Sequence, residues 1–291
     1  MGMRILLFLA TNLAIIVTLS VVMSVLGIGG YVGPGGLDYQ ALAVFCLIWG
    51  MGGSFISLQM SRWIAKRATG VRLVDGRSGQ AELDWLYETV SRLTKQANLP
   101  MPEVGIYDSP EVNAFATGPS KSRSLVAVSA GLLRGMRREE VEGVLAHEVA
   151  HIANGDMVTM TLLQGVINAF VMFIARVIAF GIRQTSDSRN SYMFSYIVMI
   201  ALEIGLGILG SMITAWFSRH REFRADRGGA QLAGREHMLA ALRRLASNRQ
   251  LVDTRHEALA TFKIAGAGKW GAFFSTHPPL EARIAALENF R

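Results

Sequence analysis

The chain has 291 residues, of which 51% are hydrophobic and 18% charged, with a net charge of +7 and one cysteine. The basic residues gather at the ends of long apolar blocks rather than on one face, so the charge reads as a membrane-orientation and headgroup signal and nucleic acid is excluded as a partner. Cys46 lies inside an apolar block, which excludes an intrachain disulfide and a cysteine-ligated zinc site.

In chain order, Ile5 to Ile28 and Ala41 to Ser61 carry no charge, and each is long enough to cross about 30 Å of hydrocarbon at 1.5 Å per residue. The first follows Arg4 but is too long for a secretory signal and has no small-x-small cleavage site, so it reads as a retained anchor. Between them GIGGYVGPGG, residues 27–36, has no lysine and reads as a short outer turn rather than a phosphate loop. Gly50, Gly53 and Ser54 suit close helix packing in lipid.

Beyond Arg72 the composition turns soluble. Leu83, Leu86, Val90, Leu93 and Ala97 recur at helical spacing over 80–97, closed by Asn98 and Pro100. Glu103–Tyr107, Val112–Thr117 and Ser124–Ser129 have strand character and predict a small sheet. Asn113, Ala114, Phe115 and Ala116 open the segment NAFATG. Read as an edge strand, these residues either form ordinary structure or present a rail on which an extended peptide adds as a further strand.

The run VEGVLAHEVAHIANGD, 141–156, organises the rest. Residues four apart on a helix lie one above the other, so His147 and His151 can meet one metal ion while Glu148 stands beside it as a base for the metal's water. Asn154 falls on the same stripe and reads as a residue that orients a ligand or the substrate. Met157 follows His151 by about 9 Å of helix, which places the metal close to the membrane surface.

Met157 to Ile182 and Tyr192 to Phe217 are two further apolar blocks, joined by the polar loop 183–191. Interrupted by Gln164, Asn168, Arg176 and Glu203, they read either as spans or as a buried soluble hairpin. Arg176 and Glu203 interrupt them at depths that differ by about 7 to 8 Å, a gap a long arginine can cover, and they are expected to pair. Arg62, Lys66, Arg67, Arg72 and Arg77 follow the second block and Arg219, Arg221 and Arg224 the fourth, so both termini and the middle segment are expected in the cytoplasm.

The fourth block returns antiparallel to the third, so the chain beyond Phe217 comes back to the depth of the metal. There SRHREFRAD offers Glu222 as third ligand and Asp226, one turn on, as the group holding a ligand imidazole, with His220 the competing ligand. Near the end, STHPPLEARIAAL places His277 just before a proline-initiated helix. It is either simply the residue before that helix or a hydrogen-bond donor to a developing oxyanion.

NAFATG, HEVAHIANGDMVTMTLLQGV, SRHREFRADRGGA and THPPLEARIAAL together resemble the HtpX-type membrane zinc metalloproteases of bacteria, relatives of the CAAX prenyl proteases. The resemblance runs over nearly the whole chain and departs at no motif position. It implies a multi-pass inner-membrane endopeptidase with a cytoplasmic catalytic domain that degrades damaged or misfolded membrane proteins. It implies one zinc ion per chain on His147, His151 and Glu222, with Glu148 as catalytic base. It also raises Asn113 to Gly118 and His277 as substrate-contacting positions and Asp226 as support for a ligand.

The expected fold is therefore a mainly α integral membrane protein, with four transmembrane helices and a cytoplasmic α+β zincin-like domain holding a small sheet. The expected divisions are a two-helix anchor at 1–61, a catalytic segment at 62–156, a helical hairpin at 157–217 and a helical segment carrying the third ligand at 218–291. The bilayer and membrane-protein substrates are the expected partners, and nothing in the pattern fixes an oligomeric state. A peptidase that trims prenylated or short membrane peptides is the nearest alternative. A non-catalytic zinc-binding scaffold is the alternative from another class, and it would not need Glu148 between two ligands.

Overall fold

A computed structural model describes residues 2–25, 27, 30–33, 36–184, 191–255 and 275–290. Most of the polar loop expected at 183–191, and parts of the glycine-rich turn, lie outside the described residues. The chain divides into two compact units, one of Met1–Gln59 with Thr159–Thr214 and one of Met60–Val158 with Ala215–Arg291.

The first unit is built from apolar helices. Helix α1 spans Gly2–Val25, and α2, at Tyr39–Thr69, comes after a two-residue ladder of β1 (Val32–Gly33) with β2 (Gly36–Leu37). Helix α6 spans Asp156–Gln184 and α7 spans Ser191–Ala233. Three helices, in α2, α6 and α7, are long and apolar enough to cross a membrane among the described residues. A Cβ on Gly50 would collide with the backbone of Ala169, so α2 and α6 touch there, in keeping with the small residues noted in that span. Arg176 Nη1 lies 2.6 Å from Glu203 Oε1, so the expected pair forms.

The second unit is α+β. Its sheet runs in the order β3 (Arg72–Val74), β4 (Glu103–Tyr107), β6 (Arg123–Ser129) and β5 (Ala114–Ser120). Strands β4 and β6 are parallel and the other pairs antiparallel. The strand expected from Val112 begins instead at Ala114, because the Ser129 side chain takes the Asn113 backbone N–H. The short β3 was not foreseen; three residues are too few to show a period of two.

One sheet face packs against α3 (Ala81–Gln96) and α5 (Arg138–Asn154), which comes after the short α4 (Ala130–Gly135). Helix α5 carries the HExxH motif, and its Val141, Leu145, Val149 and Ile152 are almost fully buried. Each contributes roughly 1.5–3 kcal/mol of burial energy. The N-terminus of α5 is closed by Glu140, whose carboxylate accepts from the Arg137 backbone N–H at 2.7 Å. Helix α8 (Arg235–Arg255) crosses α5 at Gly143, where a Cβ would collide with the His237 carbonyl and stand 2.9 Å from the Ala241 methyl. Helix α7 passes as closely, since a Cβ on Gly228 would lie 2.9 Å from that of Ala150. The last helix, α9 (Leu280–Glu288), docks through Leu287 on Met238, Leu239 and Leu242.

Candidate metal centre

The close passage of α7 over α5 brings Glu222 within side-chain reach of both motif histidines. His147 Nε2 and His151 Nε2 stand 3.0 Å apart. Glu222 Oε2 is 3.5 Å from the first and Oε1 is 3.3 Å from the second. All three residues are buried. A tetrahedral ion with bonds of about 2.0–2.1 Å sets its ligand atoms about 3.3 Å apart, so the spacing fits one shared ion.

The outer ring nitrogens support the same conclusion. His147 Nδ1 lies 2.9 Å from Asp226 Oδ1 and His151 Nδ1 lies 2.7 Å from Asp156 Oδ2. With each Nδ1–H donated to a carboxylate, both Nε2 atoms turn lone pairs toward the Glu222 oxygens. Three lone-pair donors facing one another repel unless a cation or added protons lie between them, and two imidazoles with one carboxylate are a donor set suited to a borderline metal.

Without the ion, burial disfavours charge on His151, but hydrogen bonds to Asp156 and Glu222 outweigh it and raise its pKa to about 9. His147 shifts upward in the same way, burial being outweighed by Asp226 and Glu222.

Glu148 is half-buried beside His147 and lies outside this ring of hydrogen bonds. His277 is 64% exposed at its side chain, and its Nδ1 lies 2.9 Å from Glu222 Oε2. Its segment is tied to α7 by Arg219, which donates to the Ser275 carbonyl at 2.7 Å. His220 does not reach the cluster; its Nδ1 is 3.0 Å from the Trp216 carbonyl.

Asn154 does not touch either imidazole among the hydrogen bonds of the site. Its Nδ2 is buried with no hydrogen-bond partner among the described residues, and Asp156 is the group on His151. Asp156 and Arg283 were missed. Arg283 is 6% exposed and grips Asp226 with Nε and Nη2 at 2.8 and 2.6 Å, while Nη1 lies 3.2 Å from Glu222 Oε2. A signal for Asp156 was present in the glycine before it, since a glycine there can end a helix and re-aim the next residues.

Strand β5 lies at an end of the sheet. Ser129 N–H donates to the Asn113 carbonyl at 2.9 Å, and Ala114 pairs with Val128. Alternation along an antiparallel ladder then turns the backbone groups of Phe115 toward β6 and those of Ala114 and Ala116 toward the open edge. The Ala114 and Ala116 side chains face the core shared with α5, whereas Phe115 lies on the other face against Tyr107, ring centroids 5.7 Å apart.

Comparison with known proteins agrees with this geometry. The model of peptidase family M48 matches residues 80–291. The chain is 53% identical over 98% of both sequences to a protein named Protease HtpX homolog from Verminephrobacter eiseniae. It is 50% identical over 99% of both to Protease HtpX from Idiomarina loihiensis. Among solved structures it resembles the crystal structure of S. mikatae Ste24p, with a TM-score of 0.59 at 17% identity, covering 86% of this chain and 58% of that one. The chain thus spans a little over half of Ste24p, and the likeness is one of fold. With a matching family model over most of its length and near-full-length relatives at half identity, the chain belongs to the M48 family of metallopeptidases, among its HtpX-type membrane members.

Proposed function

We propose that the protein is a zinc-dependent endopeptidase of a bacterial inner membrane that cleaves damaged or misfolded membrane proteins on the cytoplasmic side. The observation that carries this reading is the convergence of His147 Nε2, His151 Nε2 and Glu222 within 4.8 Å of one another, with Glu148 next in sequence to the first ligand. Two imidazoles and a carboxylate are a common set for catalytic zinc, one ion per chain, with a coordination position left open. The basic residues after the second and fourth apolar blocks support a cytoplasmic catalytic domain and termini. Helix α1 is taken as a fourth span. The proposed divisions are 1–61, 62–156, 157–217 and 218–291, as anchor, catalytic segment, hairpin and third-ligand segment.

Zinc held there supplies a lowered pKa for its water and polarisation of the scissile carbonyl. Glu148 receives the proton of the attacking water and passes it to the leaving amine. His277, exposed beside Glu222, donates to the developing oxyanion. The substrate adds as an extended strand along β5, held by the outward backbone groups of Ala114 and Ala116, with Asn113 and Phe115 at its flank. Asp226 holds the His147 ring.

The test incubates zinc-loaded protein in detergent with an unfolded membrane protein and with a short peptide, beside the Glu148→Gln variant. Wild type is expected to cleave the unfolded protein, and Glu148→Gln to hold one zinc and cleave neither. An active, zinc-loaded Glu148→Gln chain removes the base from this scheme. Cleavage of the peptide alone supports a peptide-trimming enzyme instead, and zinc without cleavage supports a scaffold.

A further inference from the structure

In an unbroken α-helix a residue five positions on lies about 140° around the axis, so position 156 would point away from His151. This helix is broken. Gly155 ends α5 in the left-handed region, at φ 67° and ψ 29°, and α6 restarts at Asp156. The turn folds the Asp156 carboxylate back until Oδ2 stands 2.7 Å from His151 Nδ1. A side chain other than glycine at 155 would resist that backbone, and an unbroken helix would lose the contact.

The Asp156 carboxylate is fully buried. Its other oxygen accepts from Arg224 Nη2, from the same turn of α7 that carries Glu222 and Asp226. The site therefore has two chains of the same kind. His147 is held by Asp226 and Asp226 by Arg283; His151 is held by Asp156 and Asp156 by Arg224. The ExxxD spacing accounts for the first chain, whereas the second exists because of the helix break.

We infer that Asp156 is a positioning residue for the metal, and that the Gly155 break is part of the metal site because it aims that carboxylate. Asp156 fixes the His151 tautomer with the Nε2 lone pair turned toward His147 and Glu222, and its negative charge strengthens that nitrogen as a ligand. Arg224 keeps the carboxylate in place and prevents it from competing as a ligand. This inference rests on the zinc reading above.

The experiment loads full-length protein in detergent with zinc and monitors release to a chromogenic chelator, beside the visible spectrum of the cobalt-substituted chain. Asp156→Asn is close to isosteric and should fold, but it presents a neutral acceptor to His151 and a mismatched group to Arg224. It is expected to release zinc roughly 10- to 100-fold faster than wild type and to shift the cobalt spectrum. Gly155→Ala is expected to speed release, and Asn154→Ala to leave it unchanged. Equal release from wild type and a folded Asp156→Asn chain overturns the inference while leaving the zinc reading intact. A wild-type chain that takes up no zinc overturns both.

Discussion

Arg283 grips both carboxylate oxygens of Asp226, at 2.8 and 2.6 Å, from a position only 6% exposed. Asp226 in turn holds His147, so α9 reaches the metal site through a two-pronged ion pair. Replacing Arg283 with Met leaves Asp226 and Glu222 buried with only imidazoles, those of His147, His151 and His277, as counter-charge. The expected loss is about 3 to 5 kcal/mol, read by thermal unfolding of the metal-free chain. Arg283→Lys is expected to recover only part of it, because one ammonium cannot reproduce the fork. An Arg283→Met chain as stable as wild type would show that the carboxylates do not depend on it.

Zinc removal should expose a pH dependence set by the two imidazoles. His151 has a folded-state pKa of about 9, and His147 shifts upward as well, against 6.5 for a free imidazole. Groups whose pKa is raised by folding stabilise fully below the unfolded value, and that contribution is lost as pH rises through the folded one. The chelator-treated chain is therefore expected to lose thermal stability between pH 6.5 and about 9. Zinc needs both rings neutral, so its apparent affinity should rise over the same window with proton release. A metal-free chain whose melting temperature is flat or rising there contradicts the assignment.

Much of this site was legible because its main contacts obey helical spacing. His147 and His151, and likewise Glu222 and Asp226, are one turn apart, and such pairs share a face whatever the tertiary fold. Glu103–Tyr107 was legible for a similar reason, as a short β-branched run with turn residues beyond it. The pattern did not carry backbone geometry or distance along the chain. Asn154 fits the stripe of an ideal helix, but Gly155 leaves that ideal and sets Asp156 against the His151 ring. Arg283 looks like one basic residue of an amphipathic last helix, and only the docking of Leu287 on α8 shows that it points inward.

Arg176 and Glu203 test the membrane unit separately. Their 2.6 Å contact, with the Arg176 guanidinium 5.5 Å from the Phe45 ring centroid, links α2, α6 and α7. In hydrocarbon a lone charge is costly, so Arg176→Ala is expected to destabilise the solubilised protein by roughly 2 to 3 kcal/mol, and Arg176→Lys by less. Changing both residues to Met should recover most of the loss, because neither charge is then stranded. Arg176→Ala and Arg176→Lys proteins of equal stability and insertion would count against an energetic role for the pair.

The edge of β5 offers a way to separate substrate binding from folding. The ladder alternation turns the Ala116 N–H toward the open edge, where no described strand pairs with it. Proline is tolerated on an edge strand when the N–H it removes faces outward, so Ala116→Pro should fold and hold zinc. It can no longer donate to an added peptide strand. Losing one such hydrogen bond, worth about 0.5–1.5 kcal/mol, together with the crowding of the ring, is expected to raise KM about tenfold with kcat less affected. Phe115→Pro is the control. Its N–H faces β6, so proline there removes a ladder bond and should lower thermal stability even without substrate. If Ala116→Pro keeps wild-type KM with an unfolded membrane protein, the substrate does not lie along this edge.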